Sequence, residues 1–189
     1  MVLGHRSATE QLRRLALQYP AKAQLSDAGV QDFHTFRQAL NVASADQRVL
    51  VLIHAPAKKE AELRESLKSV ANDEKVIGRF HFDFDGSDKW KEPIEGDSKD
   101  HGIVIVRPGE FGLAGKIMKR LPLDTPSPKV MEALLAANEE FAKTTEKKVY
   151  SSHVSKGKQQ GIHFEGAVPY GEDRDGDGEI DRRGGRRNR

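Results

Sequence analysis

Residues Arg48 to His54 read RVLVLIH, and Val49 to Ile53 within them form the longest run of large apolar residues in the chain. Five valine, leucine and isoleucine side chains in succession do not alternate as a half-solvated strand must, so both sides of such a strand have to be covered. The run is far short of the roughly 20 apolar residues needed to cross a bilayer. It therefore predicts a central strand in a layered α/β fold, with other elements packed on both faces of its sheet.

The rest of the pattern fits around that strand. Ser7 and Glu10 have capping-box spacing, and Leu12, Leu15, Ala16 and Tyr19 follow at helical intervals up to Pro20, predicting a helix over 7–19. A short strand is expected at Ala21 to Leu25. Phe33, Phe36, Ala39, Leu40 and Ala43 then predict a helix over 30–44. After Pro56, the positions Leu63, Leu67 and Val70 mark a helix over 57–72. Val76, Ile77, Phe80, Phe82 and Phe84 suggest a strand that sends His81 and Asp83 to the opposite face. Residues 85–100 are polar and read as a loop anchored by Trp90. Ile103 to Val106 runs into the turn Arg107-Pro108-Gly109-Glu110, and Gly115 to Leu121 returns as a hairpin strand. The three glycines of Gly109 to Gly115 miss the dinucleotide-binding spacing and read as turn chemistry. Following Pro126-Ser127-Pro128, residues Val130, Leu134 and Phe141 belong to a last helix that fades after about Lys147.

Among the 189 residues there is no cysteine, which excludes disulfides, thiol nucleophiles and thiolate-held metals. Lysine plus arginine (31) nearly balances aspartate plus glutamate (29), so no global charge draws the chain to nucleic acid. The mean hydropathy of -0.66 reflects the final stretch, 151–189, which is rich in Gly, Asp and Arg and too poor in apolar residues to offset its ordering entropy. That stretch is expected to be disordered. The N-terminus carries no secretory pattern, so the default expectation is cytoplasmic. A trimmed periplasmic or secreted chain would read the same.

From about Ala21 to Lys147 the order of elements resembles the thioredoxin-like fold. The likeness is closest at Arg48-Val-Leu-Val-Leu-Ile-His-Ala-Pro56, where thioredoxins carry a buried strand leading into their redox motif, and at Ile103-Val-Ile-Val-Arg-Pro-Gly-Glu110, similar to the family's second hairpin. The resemblance implies a three-layer α/β/α sandwich with a mixed central sheet, divided as an N-terminal helical extension (1–20), the domain itself (21–148) and a polar tail (149–189). It places the family's two cysteines at Lys58 and Ala61, and the cis-proline that shapes its substrate groove at His101. Disulfide exchange needs two thiols, so this would be a redox-inactive member.

Two candidate sites follow. The edge where the redox motif would stand offers His54, Lys58, Lys59 and His101 to an acidic ligand or peptide carboxylate. In the tail, Asp173, Asp175 and Asp177, followed by Gly178, Glu179 and Asp181, resemble the calcium loops of EF-hands and dockerins. There, carboxylates at alternate positions converge on one hard cation. Position 12 of that loop is Gly184 in place of the bidentate Glu, which implies weak calcium affinity. The terminal Arg182 to Arg189 cluster is a local basic element, but the tail carries eight basic and seven acidic residues and makes no electrostatic arm for nucleic acid. No Ser-His-Asp context, His-Glu-x-x-His helix or phosphate loop appears. The expected function is non-catalytic binding or scaffolding of a protein or peptide partner. Alternatives are a non-redox enzyme using His54 and His101, and a calcium-dependent extracellular assembly module.

Overall fold

The computed structural model describes residues 13, 17, 29–33, 35–96 and 101–162. Within them the chain forms α1 (Phe36–Asp46), β1 (Val49–His54), α2 (Ala57–Ala71), β2 (Phe80–Phe84), β3 (Ile94–Glu95), β4 (Gly102–Pro108), β5 (Gly115–Leu121), α3 (Ser127–Thr144) and α4 (Tyr150–Gln159). Arg13 and Leu17 are helical, but the rest of the helix expected over 7–19, the strand expected at 21–25 and the whole Asp173–Asp181 loop lie outside the described residues.

One mixed sheet runs in the order β2-β1-β4-β5-β3. β1 is parallel to β2 and antiparallel to β4, β4 is antiparallel to β5, and β3 is parallel to β5. All six residues of β1 are buried. The reason is their alternation between two apolar clusters. Val49, Val51 and Ile53 meet Leu63 and Leu67 of α2 and Leu134 and Phe141 of α3. Leu50 and Leu52 join Phe36, Ala39, Leu40 and Ala43 of α1, together with Trp90. At roughly 1.5–3 kcal/mol for each fully buried aliphatic side chain, this one strand contributes on the scale of a domain's whole net stability. No helix among the described residues is long and apolar enough to cross a membrane.

Several boundaries differ from expectation for local reasons. α1 begins at Phe36 rather than near residue 30, because Thr35 caps it, its hydroxyl accepting the Gln38 N–H at 3.2 Å. Residues 29–33 form instead an irregular strap tied to the end of β2. Asp32 takes the N–H of Phe33 at 2.9 Å and of Phe84 at 3.0 Å, and the Val30 carbonyl accepts from Arg64. Val76 and Ile77 lie in turns, not in β2: their N–H groups donate to the Asp73 carbonyl and the Asp73 side chain takes the Lys75 N–H. The 85–100 segment holds a 3₁₀ turn (Lys89–Lys91) that buries Trp90, and the two-residue β3.

The largest difference concerns the polar tail, whose first residues form α4. His153 of that helix is buried and packs its ring 4.7 Å from Phe111, which belongs to the 3₁₀ turn Glu110–Gly112 between β4 and β5. Gln47, at the left-handed end of α1, holds the connector by donating to the Glu146 carbonyl and accepting the Lys148 N–H.

Candidate functional site

β1 ends at His54, on the same face as Leu50 and Leu52, and pairing sets His54 opposite Gly102. His101, one residue before, is thereby brought alongside, and the two imidazole centroids stand 4.9 Å apart at 40°. Trp90 backs His54 at 5.4 Å, and the Arg120 guanidinium lies 6.0 Å above the Trp90 ring. Asp88 reaches to 3.8 Å from Nε2 of His54 and pairs with Lys91 at 2.6 Å. The two histidines differ sharply in exposure: His54 is 2% accessible, whereas His101 is exposed.

That difference fixes their chemistry. Burial, reinforced by the neighbouring His101, holds His54 below the ordinary histidine pKa, so its ring is neutral around pH 7. Nδ1 of His54 is buried without a hydrogen-bond partner. Lys58 and Lys59 sit exposed in the first turn of α2. The structure joins neither to the histidine pair by an ion pair or ring contact among the described residues. Of the four residues expected at this edge, the two histidines are in ring contact and the two lysines lie in the first turn of the next element. His81 goes elsewhere, hydrogen-bonded to Asp46 at 2.9 Å and edge-on to Phe33. No group of three metal-capable side chains occurs among the described residues.

A second constellation had no motif to announce it. Asp83 of β2 is 1% accessible, with the Asp32 carboxyl and the Phe33 N–H as its polar neighbours. Burial, then the adjacent Asp32 and Asp85 carboxylates, push its pKa up to about 8. Asp32 moves the other way. Burial opposes its ionisation, yet the Arg64 guanidinium and the Phe84 and Phe33 N–H groups hold it below the ordinary carboxylate value. Arg64 also binds Glu60 at 2.7 Å and lies 3.9 Å over the Phe84 ring. Around neutral pH the two aspartates are thus one acid and one carboxylate, with the Asp83 proton shared toward Asp32. The alternation of FHFDF assigns Asp83 to the face away from the phenylalanines, but only the packing of α1 and the strap buries it.

Compared with protein-family models, curated proteins and solved structures, the chain matches none.

Proposed function

We propose that this chain is a redox-inactive, thioredoxin-like domain that binds an acidic extended peptide or the carboxylate of a protein partner at the His54–His101 edge. Two features support the fold half of this reading. The parallel β1-α2-β2 crossover is followed by the antiparallel β4-β5 hairpin and a covering α3, in the order the resemblance implies. The sequence has no thiol with which to perform exchange.

The observation that carries the binding half is the histidine pair itself: an exposed His101 seated on a buried, neutral His54, with exposed Lys58 and Lys59 in the first turn of the helix that follows β1. Buried as it is, His54 cannot meet a solvent-borne substrate as a general base, and this favours a binding surface over the enzyme alternative. With Lys91 already paired to Asp88, Lys58 and Lys59 are the side chains that select acidic groups.

An ¹⁵N-resolved titration with a glutamate-rich peptide, and with a lysine-rich peptide as control, tests this reading. Amide shifts should cluster at residues 54–59, 88–91 and 101–102 for the acidic peptide alone, and changing Lys58 and His101 together to Ala should weaken binding at least about tenfold, the loss of roughly 1.4 kcal/mol. No shift at millimolar peptide, or shifts confined to another face, would remove this edge as the binding surface.

A further inference from the structure

Among the described residues β2 is the last strand on its side of the sheet, and its backbone presents a defined outward row. In a parallel pair, successive residues turn their N–H and C=O groups alternately toward and away from the neighbouring strand. The Asp85 N–H donates to the Ile53 carbonyl at 3.3 Å, so the odd-numbered residues of β2 face β1, and Phe80, Phe82 and Phe84 turn their backbone groups outward. Asp32 takes the Phe84 N–H at 3.0 Å, in agreement with that parity. No described residue hydrogen-bonds to the outward N–H or C=O of Phe82.

That row opens into a groove of about 570 Å³. The strap bounds it at the Phe84 end of β2, and the turn at Val76 to Gly78 bounds it at the Phe80 end. Its lining is apolar at Val30, Val76, Phe80 and Phe82, and Ile77 beside them is 44% exposed. The charged residues of the lining are each paired within the chain. Asp32 holds Arg64, and Asp46 takes both His81, at 2.9 Å, and Arg48, at 3.8 Å. A charged group entering the groove would lose its hydration with no counter-ion to replace it. An uncharged extended segment avoids that cost, and its own backbone supplies the donor and the acceptor that Phe82 can engage. Alternation in an added strand sends side chains to both faces of the sheet. On the α2 face they would meet Val30 and Val76, and on the α1 face His81. The fitting sequence therefore alternates a β-branched apolar residue with a small uncharged polar one.

We propose that β2 is a docking edge for an extended, uncharged segment of a partner protein, added as a further strand beside Phe82 with its apolar side chains over Val30, Val76 and Ile77. The bond from Phe84 to Asp32 sets where the added strand must stop. The surface is separate from the His54–His101 edge and does not depend on the function proposed for it.

Amide exchange and ¹⁵N-resolved titration of the full chain with the peptide acetyl-Thr-Val-Thr-Val-Thr-amide test this. The controls replace each Thr by Glu, by Lys, or by Pro, the last being unable to extend a sheet. The uncharged peptide should shift residues 30, 76–78 and 80–82 and slow exchange of the Phe82 amide at least about tenfold at saturation. All three controls should bind at least about tenfold more weakly. Ile77→Asp, at an exposed position that the core does not need, should weaken the uncharged peptide by at least about tenfold, and Ile77→Val should keep it within about twofold. Unchanged Phe82 exchange at millimolar peptide, equal binding of the Pro or charged peptides, or indifference to Ile77→Asp would overturn the proposal. So would a Phe82 amide already protected without peptide. Protection that grows with protein concentration would give the edge to a second copy, and protection independent of concentration would give it to the chain's own residues before Gly29.

Discussion

At the scale of single residues, the buried titratable groups divide by sign. Asp83 keeps its proton in the folded chain up to about pH 8, whereas an unfolded aspartate loses it near 3.8. Its contribution to stability is therefore complete below the ordinary carboxyl range and is lost as pH rises toward 8. His54, His81 and His153 are all held below the ordinary histidine value, chiefly by burial. Their contribution is complete above 6.5 and is lost as pH falls below it. The expected outcome is a decline in stability that belongs to Asp83, running from the ordinary carboxyl range up to about pH 8 and opposed below 6.5 by the three histidines. Urea midpoints measured from pH 5 to 9 should fall between about 6.5 and 8 and level above 8 for the native chain, and lose that fall in Asp83→Asn; equal slopes would assign it to other groups. None of this was legible in the sequence. Asp32, fifty-one positions before Asp83, acquires its role from the Arg64 guanidinium and the Phe84 N–H, which only the fold brings to it.

At the scale of elements, the pattern was legible where burial is dictated from within the segment and obscure where it is dictated from outside. β1 could be read because five successive apolar residues leave no other solution, and α2 because Leu63, Leu67 and Val70 mark one face. The pair His54–His101 followed from placing both residues at one end of the sheet. α4 could not be read, since YSSHVSKGKQ has almost no apolar face and rests on Phe111, some forty residues upstream. The turn that carries Phe111 is also where backbone freedom matters. Gly112 has φ of +64°, and a Cβ there would stand 2.6 Å from the Asn41 Cα and 2.7 Å from the Leu40 carbonyl oxygen of α1. Gly112→Ala should destabilise the chain by about 2–4 kcal/mol, through backbone strain and overpacking together. Gly78, at φ of +77° with nothing within 4 Å of a Cβ, supplies the control. There Ala should cost only about 1–2 kcal/mol. Equal losses in urea denaturation would mean that the turn does not press on α1 as closely as the geometry states.

For the whole molecule, one sheet serves two cores. Trp90 is the single tryptophan and is fully buried in the cluster under α1, whereas α2 and α3 lie over the other face. Because β1 contributes alternate residues to both clusters, neither can dissolve without disturbing the other. Tryptophan fluorescence, which reports one face, and far-ultraviolet circular dichroism, which reports all elements, should give coincident unfolding curves. Leu52→Ala on one face and Ile105→Ala on the other should each lower stability by about 2–5 kcal/mol without separating the two transitions. A fluorescence transition that precedes the dichroism change would show that the α1 side unfolds on its own.

The strap at residues 29–33 has a consequence for life in a crowded solution. β2 ends the sheet, and since the Asp85 N–H is spent inward on the Ile53 carbonyl, the neighbouring Phe84 N–H points outward. Asp32 occupies it. Three phenylalanines in five residues make β2 the strand most prone to recruit a foreign strand, and an outward row of free backbone groups is the template for such recruitment. Tying off its last donor with a carboxylate removes one group from that template. The aspartate that caps this margin is the same one that, after burial itself, favours the protonated form of Asp83.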